Sequence, residues 1–275
     1  MLLEQEKVIR LGFFFGVFLL VAVAEHLFPR RPLTMPKRSR WGANLGMVLL
    51  NTLLLRILFP TAAVGFALSR EGQGWSLLGP FDPSSWVSIV ICVVLLDFAI
   101  YLQHVMFHAV PSLWRLHRVH HADLDYDVTT GARFHPIEIV LSMGIKLSVI
   151  TLLGAPAVAV LIFEVLLNGV AMFNHGNLSL PERADRILRL FVVTPDMHRI
   201  HHCVRPALTN ANFGFNLPWW DRLMGTYVAH PPDGQVEMEI GLNTMRDPQE
   251  VNTIQGMLKL PLKRHVGAYP INHRW

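Results

Sequence analysis

Charge is scarce in this chain. Only 16% of its 275 residues are Asp, Glu, Lys or Arg, whereas a soluble domain usually carries about a quarter. With 52% hydrophobic residues and a mean hydropathy of +0.36, that shortage excludes a soluble enzyme with one large core and points to a membrane protein with a single polar region. Cysteine is nearly missing too. Cys92, in an apolar run, and Cys203 form no disulfide framework, and they are too few for cysteine-rich structural zinc. No HExxH segment occurs, so the usual zinc-peptidase motif with its glutamate base is excluded. The alternating acids Asp123, Asp125 and Asp127 lack the glycine and terminal glutamate of a calcium loop. The apolar run from Leu11 has no small-residue cleavage site and reads as a retained span. The net charge is +4, but the basic residues lie beside apolar segments, which favours a membrane surface and excludes nucleic acid as a partner.

What is present is a series of apolar stretches. The first span is expected from Arg10 to Phe28, stopped by Pro29, with Glu25 and His26 at the interface and no chemistry assigned to either. Arg30, Arg31, Lys37, Arg38 and Arg40 then form a short basic loop, which the positive-inside rule places in the cytoplasm. Ala43 to Leu68 contains Pro60 and reads either as one kinked span or as a span followed by an interfacial segment. The third span runs from Trp86 to about Gln103, with Asp97 near its inner end as a functional candidate or a partner for a histidine ring. Glu138 to Phe173, broken at Gly154-Ala155-Pro156, predicts a hairpin of two short helices with both ends on one side. A surface helix is expected over Pro181 to Val193, and the aromatic run Asn212 to Tyr227 suits an interfacial anchor or a lid. The fold class that follows is all-α: a polytopic membrane helical bundle of four to five segments, with a cytoplasmic, histidine-rich helical cap.

The histidines organise the rest. His104 and His108 stand at i, i+4; His117, His120 and His121 at i, i+3, i+4; and His198, His201 and His202 repeat the second pattern. Both spacings stack imidazoles on one helix face. Crowded polar rings have little packing value away from water, and imidazole is the commonest metal ligand, so a bound metal is the economical reading. Adding His135 and His175, ten of the fourteen histidines lie between residues 104 and 202, more than one ion would use. Nitrogen ligands with open positions favour a pair of redox-active irons, with zinc possible in purified protein.

The set HxxxH, HxxHH, HxxHH, together with RFHPIE (133–138), FNHGN (173–177), TPDMHRIHH (194–202) and NFGFNLPWWDRLMGTY (212–227), resembles the integral-membrane fatty acid hydroxylase/sterol desaturase superfamily, in its bacterial form. The resemblance covers residues 85–228 as the catalytic domain; hydropathy gives residues 1–84 as membrane spans and loops, and the Pro, Gly and Asn content of 229–275 predicts an irregular cytoplasmic tail. It implies the eight box histidines as iron ligands and matches His175 to a further family histidine. His135 is a candidate ligand, a donor behind the ligands, or a cap. No other catalytic side chain and no organic cofactor site is expected. Asp97, Glu138, Asp123 and Asp196 are candidates to orient ligand rings, the last two with a capping or solvated role as the alternative. The implied activity is O2-dependent hydroxylation or desaturation of a membrane lipid in the bacterial inner membrane, with electrons from a separate b-type cytochrome, ferredoxin or reduced pterin. Competing readings are a zinc-dependent membrane hydrolase and a non-catalytic metal- or lipid-binding membrane protein. His26, His230, His265 and His273 lie outside every motif.

Overall fold

Hydropathy, proline and glycine set the boundaries of the helices. The computed structural model describes residues 3–73, 76–79, 82 and 84–271, and among these no strand occurs; His273 lies outside them. Helices α1 (Glu6–Leu27), α2 (Lys37–Leu58), α3 (Ala62–Arg70), α4 (Trp86–Ala109), α5 (Pro111–His121), α6 (Pro136–Leu153) and α7 (Ala157–Asn174) form the body of the protein. Taking α2 and α3 as one broken segment, five stretches among the described residues are long and apolar enough to cross a membrane, and the protein is a multi-pass membrane protein. Their outward side chains, among them Phe13, Phe15, Leu19, Leu49, Leu53 and Ile57, are exposed, as a lipid-facing surface requires.

Pro60 separates α2 from α3, and Ala62 just after it takes a left-handed φ of 51°. The break therefore makes two helices. At the hairpin, Gly154 ends α6 with φ 67°, a conformation that costs a residue with a Cβ and costs glycine nothing. Pro156 then caps the start of α7. The apolar core of the bundle lies between α3, α4, α6 and α7, where Ala63, Leu96, Ile100, Ile150, Val160 and Phe163 are all buried. Helix α7 is the central pillar, packed on α1, α3 and α4.

The cap is built from short helices after residue 176. The expected helix over Pro181 to Val193 is shorter: α8 spans Glu182–Leu188, and the chain turns from Arg189. The last turn tightens there, with the Leu190 and Phe191 amides bonding three residues back to Ile187 and Leu188, and Pro195 holds only Thr194 extended (ψ 163°) before the next helix. The last forty residues contain several helical turns, including Pro248–Val251 and Ile254–Lys259. They strap the cap down: the Arg118 guanidinium donates to the carbonyls of Leu260, Lys263 and His265, and Tyr269 stacks on Trp114 with ring centroids 5.5 Å apart.

Part of the basic loop serves the fold. Arg40 is fully buried, donating from Nε to Asp123 at 2.8 Å and from Nη1 to Asp127 at 2.7 Å. Arg133 joins the same network at 3.3 Å from Asp123. Asp123 is thus neither solvated nor a cap. Burial would raise its pKa, but the guanidiniums of Arg40 and Arg133 outweigh that and hold it well below the usual carboxylate range. Asp125 accepts from the backbone of Thr34 and Met35. Glu25, expected at an interface, is buried and accepts from the Val128 and Asn177 amides. Together these acids fasten the α1–α2 loop to the segment after α5.

Candidate metal centre

Helix α4 carries His104 and His108 on its last turns. After one extended residue, Val110, proline at the first position of α5 restarts the helix and aims His117, His120 and His121 back at them. His175 lies one residue beyond α7. His198 and His201 belong to α9 (Pro195–His201), with His202 as its last half-turn. All nine rings are buried.

They divide into two groups: His104, His108, His117, His121 and His201 in one, and His120, His175, His198 and His202 in the other. Within each group, one nitrogen from every ring lies within 4.8 Å of all the others. His135 belongs to neither. Its Nδ1 accepts from the Ile137 amide at 3.2 Å and caps α6, the cap alternative of the sequence reading.

Tautomer logic shows what such groups need. His104 Nδ1 lies 2.7 Å from the Phe213 carbonyl, and His201 Nδ1 lies 2.7 Å from that of Ala211. A carbonyl only accepts, so both Nδ1 atoms carry the proton and both Nε2 atoms keep a lone pair. His108 Nδ1 faces Asn210 Oδ1 at 3.1 Å, in an amide whose orientation is fixed by Nδ2 donating to the Tyr269 carbonyl. His117 Nδ1 faces the Glu138 carboxylate at 2.6 Å. Yet His104 Nε2 stands 3.0 Å from both His117 Nε2 and His201 Nε2. Lone pairs aimed at one another repel, and a shared cation removes the conflict. Two nitrogens about 2.1 Å from one ion, at right angles, lie about 3 Å apart. In the second group His175 Nδ1 donates to the Ala171 carbonyl at 2.7 Å, leaving its Nε2 bare toward His120 and His198 at 3.2 and 3.1 Å. The residues therefore fit two metal ions held by nitrogen.

The electrostatics agree. Burial lowers His117 and His175 to about 3. Burial and neighbouring imidazoles hold His120, His121, His198, His201 and His202 well below the ordinary imidazole value. Neutral rings are the form that binds metal.

Of the four acids considered as ring orienters, only Glu138 touches a ring. Asp97 accepts instead from Trp220 Nε1 at 2.8 Å and the Leu217 amide at 3.2 Å. It anchors the aromatic segment whose Phe213 carbonyl supports His104. Asp196 pairs with Arg30 and Arg199. Sequence reasoning missed Asn210, Ala211 and Phe213, the partners behind three rings. Only the run NANFGFN (210–216) beside the last histidine box hinted at them. Two further aromatics line the centre: Phe134 stacks on His120 at 4.4 Å and Phe215 lies 4.9 Å from His104.

A model of the fatty acid hydroxylase family matches residues 89–226, half of the chain. Among curated proteins, the chain is similar to the ornithine lipid hydroxylase OlsE of Rhizobium tropici, 32% identical over 64% of this chain and 50% of that one. It is also similar to the human alkylglycerol monooxygenase, 29% identical over 54% of this chain and 32% of the relative, and to the human cholesterol 25-hydroxylase, 26% identical over 50% of each. The chain thus spans half or less of the length of these relatives. No solved structure matches. The family match runs from the third span through all three histidine boxes and into the aromatic segment, and the chain belongs to the fatty acid hydroxylase family.

Proposed function

We propose that the protein is a membrane-bound lipid hydroxylase that uses O2 at a pair of irons held by His104, His108, His117, His121 and His201 on one side and His120, His175, His198 and His202 on the other. The convergence of nine buried imidazoles into two groups whose bare Nε2 atoms face one another carries this reading. When bound, the irons would supply the reduction of O2 and the oxidising power for C–H hydroxylation. The chain's own residues hold the rings neutral and oriented, exclude water and position the substrate. Desaturation of a lipid is the variant outcome of the same chemistry.

A lipid substrate is supported by the bundle itself. Phe215 packs on the apolar core between α3, α4, α6 and α7 and also lies against the imidazoles of His104 and His198. An acyl or isoprenoid chain lying along that core would end at the metal centre. The relatives carry the names of a lipid hydroxylase, an alkylglycerol monooxygenase and a sterol hydroxylase, which supports the same class. Hydroxylation with O2 consumes two electrons and releases one water, so a separate one-electron or two-electron donor is part of the proposal. Lys37 and Arg38 open α2 beside Arg40, which is bonded to Asp123 just beyond α5, so they lie at the histidine end of the bundle, and we place that end on the cytoplasmic side of a bacterial inner membrane.

A zinc hydrolase would need a carboxylate free to act as base. Among the described residues neither imidazole group includes a carboxylate, and Glu138 is committed to His117. The test is lipid mass spectrometry of a deletion strain against its parent. The parent is expected to contain species one oxygen heavier, or two hydrogens lighter, that the deletion strain lacks. Identical lipid profiles under aerobic growth overturn the proposal.

A further inference from the structure

We infer that the two imidazole groups hold their ions unequally, the five-histidine group retaining its ion and the four-histidine group exchanging its own, with Glu138 as the positioning residue that sets the difference. The inference rests on the metal-centre reading above.

What distinguishes the groups is less the number of rings than what stands behind them. In the five-histidine group, four of the five Nδ1 atoms meet an acceptor: the Phe213 and Ala211 carbonyls, the Asn210 amide oxygen and the Glu138 carboxylate. The carboxylate is the shortest of these contacts, at 2.6 Å. In the four-histidine group His175 has such a partner at 2.7 Å, and behind His198 the Asn212 backbone carbonyl lies near the ring without a well-formed hydrogen bond to Nδ1. The Nδ1 atoms of His120 and His202 have none among the described residues.

An acceptor behind a ring fixes its tautomer and orientation and makes the ligating nitrogen more basic, an anion most of all. Removing one such partner typically lowers metal affinity about 10- to 100-fold. Rings without one must settle their tautomer and orientation as the ion binds. Glu138 is built into its place: Pro136 opens α6, His135 caps it, and the first turn turns the carboxylate onto α5. Its second oxygen has no partner among the described residues, so none of them shares the carboxylate with His117.

The test uses full-length protein in detergent, stripped of metal, reloaded with two equivalents of zinc as a redox-silent probe and titrated with chelators of graded strength while bound zinc is counted. Release is expected in two steps, separated by at least about tenfold in chelator strength. His202→Ala should remove the early step. Glu138→Ala should shift the late step about 10- to 100-fold toward the early one. Glu138→Gln, whose amide oxygen still accepts from Nδ1, should restore most of the separation. Single-step loss of both ions from the wild-type chain overturns the inference, whatever the variants do. So does a Glu138→Ala protein in which only the early step moves. A wild-type chain that takes up no zinc overturns the metal-centre reading instead. Matching melting temperatures of metal-free wild type and Glu138→Ala distinguish lost positioning from lost folding.

Discussion

Several of the proposed ligand rings, His104 and His108 among them, are held by atoms about a hundred positions away in sequence. The His120 ring, a ligand in the proposed centre, stacks on Phe134 and faces His175. His120→Ala is expected to lose one ion from the four-histidine group and to abolish lipid oxidation, read as metal per chain and as oxygenated lipid. Retained oxidation would remove His120 from the centre. Gly131 gives a second residue-scale test. A Cβ there would lie 2.9 Å from His175 Nδ1 and 3.0 Å from the Ala171 carbonyl, closer than real side chains approach. Gly131→Ala should therefore push the His175 ring off its backbone acceptor and weaken the four-histidine group, while Gly144→Ala, in open space, should not. The spacing of the boxes was legible because helix periodicity converts i, i+3 and i+4 directly into one face. Glu138 against His117 was legible only as a candidate, and the support of His104 by Phe213 spans 109 positions that no local pattern records.

Spans, hairpin and cap connect elements whose boundaries follow from proline and glycine, and those were readable: α4 runs straight into His104, and Gly154 turns the hairpin. The buried network between α2 and the segment after α5 was not readable. Arg40 belongs to a basic run that resembles any topogenic loop, and nothing local tells its fully buried guanidinium from the exposed Arg38. Removing one partner from a buried ion network costs about 3–5 kcal/mol. Arg40→Ala should destabilise the protein by about that amount and loosen the α5 end that bears His120 and His121. Chemical denaturation in detergent measures it, and a loss below about 1 kcal/mol would show the network to be incidental.

For the molecule as a whole, neutral histidines make metal-free stability depend on pH. His117 and His175 are lowered to about 3 by burial, whereas unfolded imidazoles protonate near about 6.5. Between those values the unfolded chain binds more protons, so stability is complete above about 6.5 and falls as pH drops toward 3. Asp123, held low by two arginines, adds a contribution that is lost only below the ordinary carboxylate range. The melting temperature of metal-free protein should decline from pH 7.5 to 5.5; an unchanged value would mean the rings are not neutral and buried as described. Sidedness is tested separately: a reporter fused after residue 271 should read out on the cytoplasmic side, and periplasmic readout would reverse the proposed orientation.

The central claim is most directly tested by counting iron. Protein produced with iron-57 and examined by Mössbauer spectroscopy alongside elemental analysis should contain two irons per chain, in nitrogen-rich surroundings and magnetically coupled as neighbours. One isolated iron per chain, or none in protein that is folded and otherwise competent to bind zinc, would contradict it.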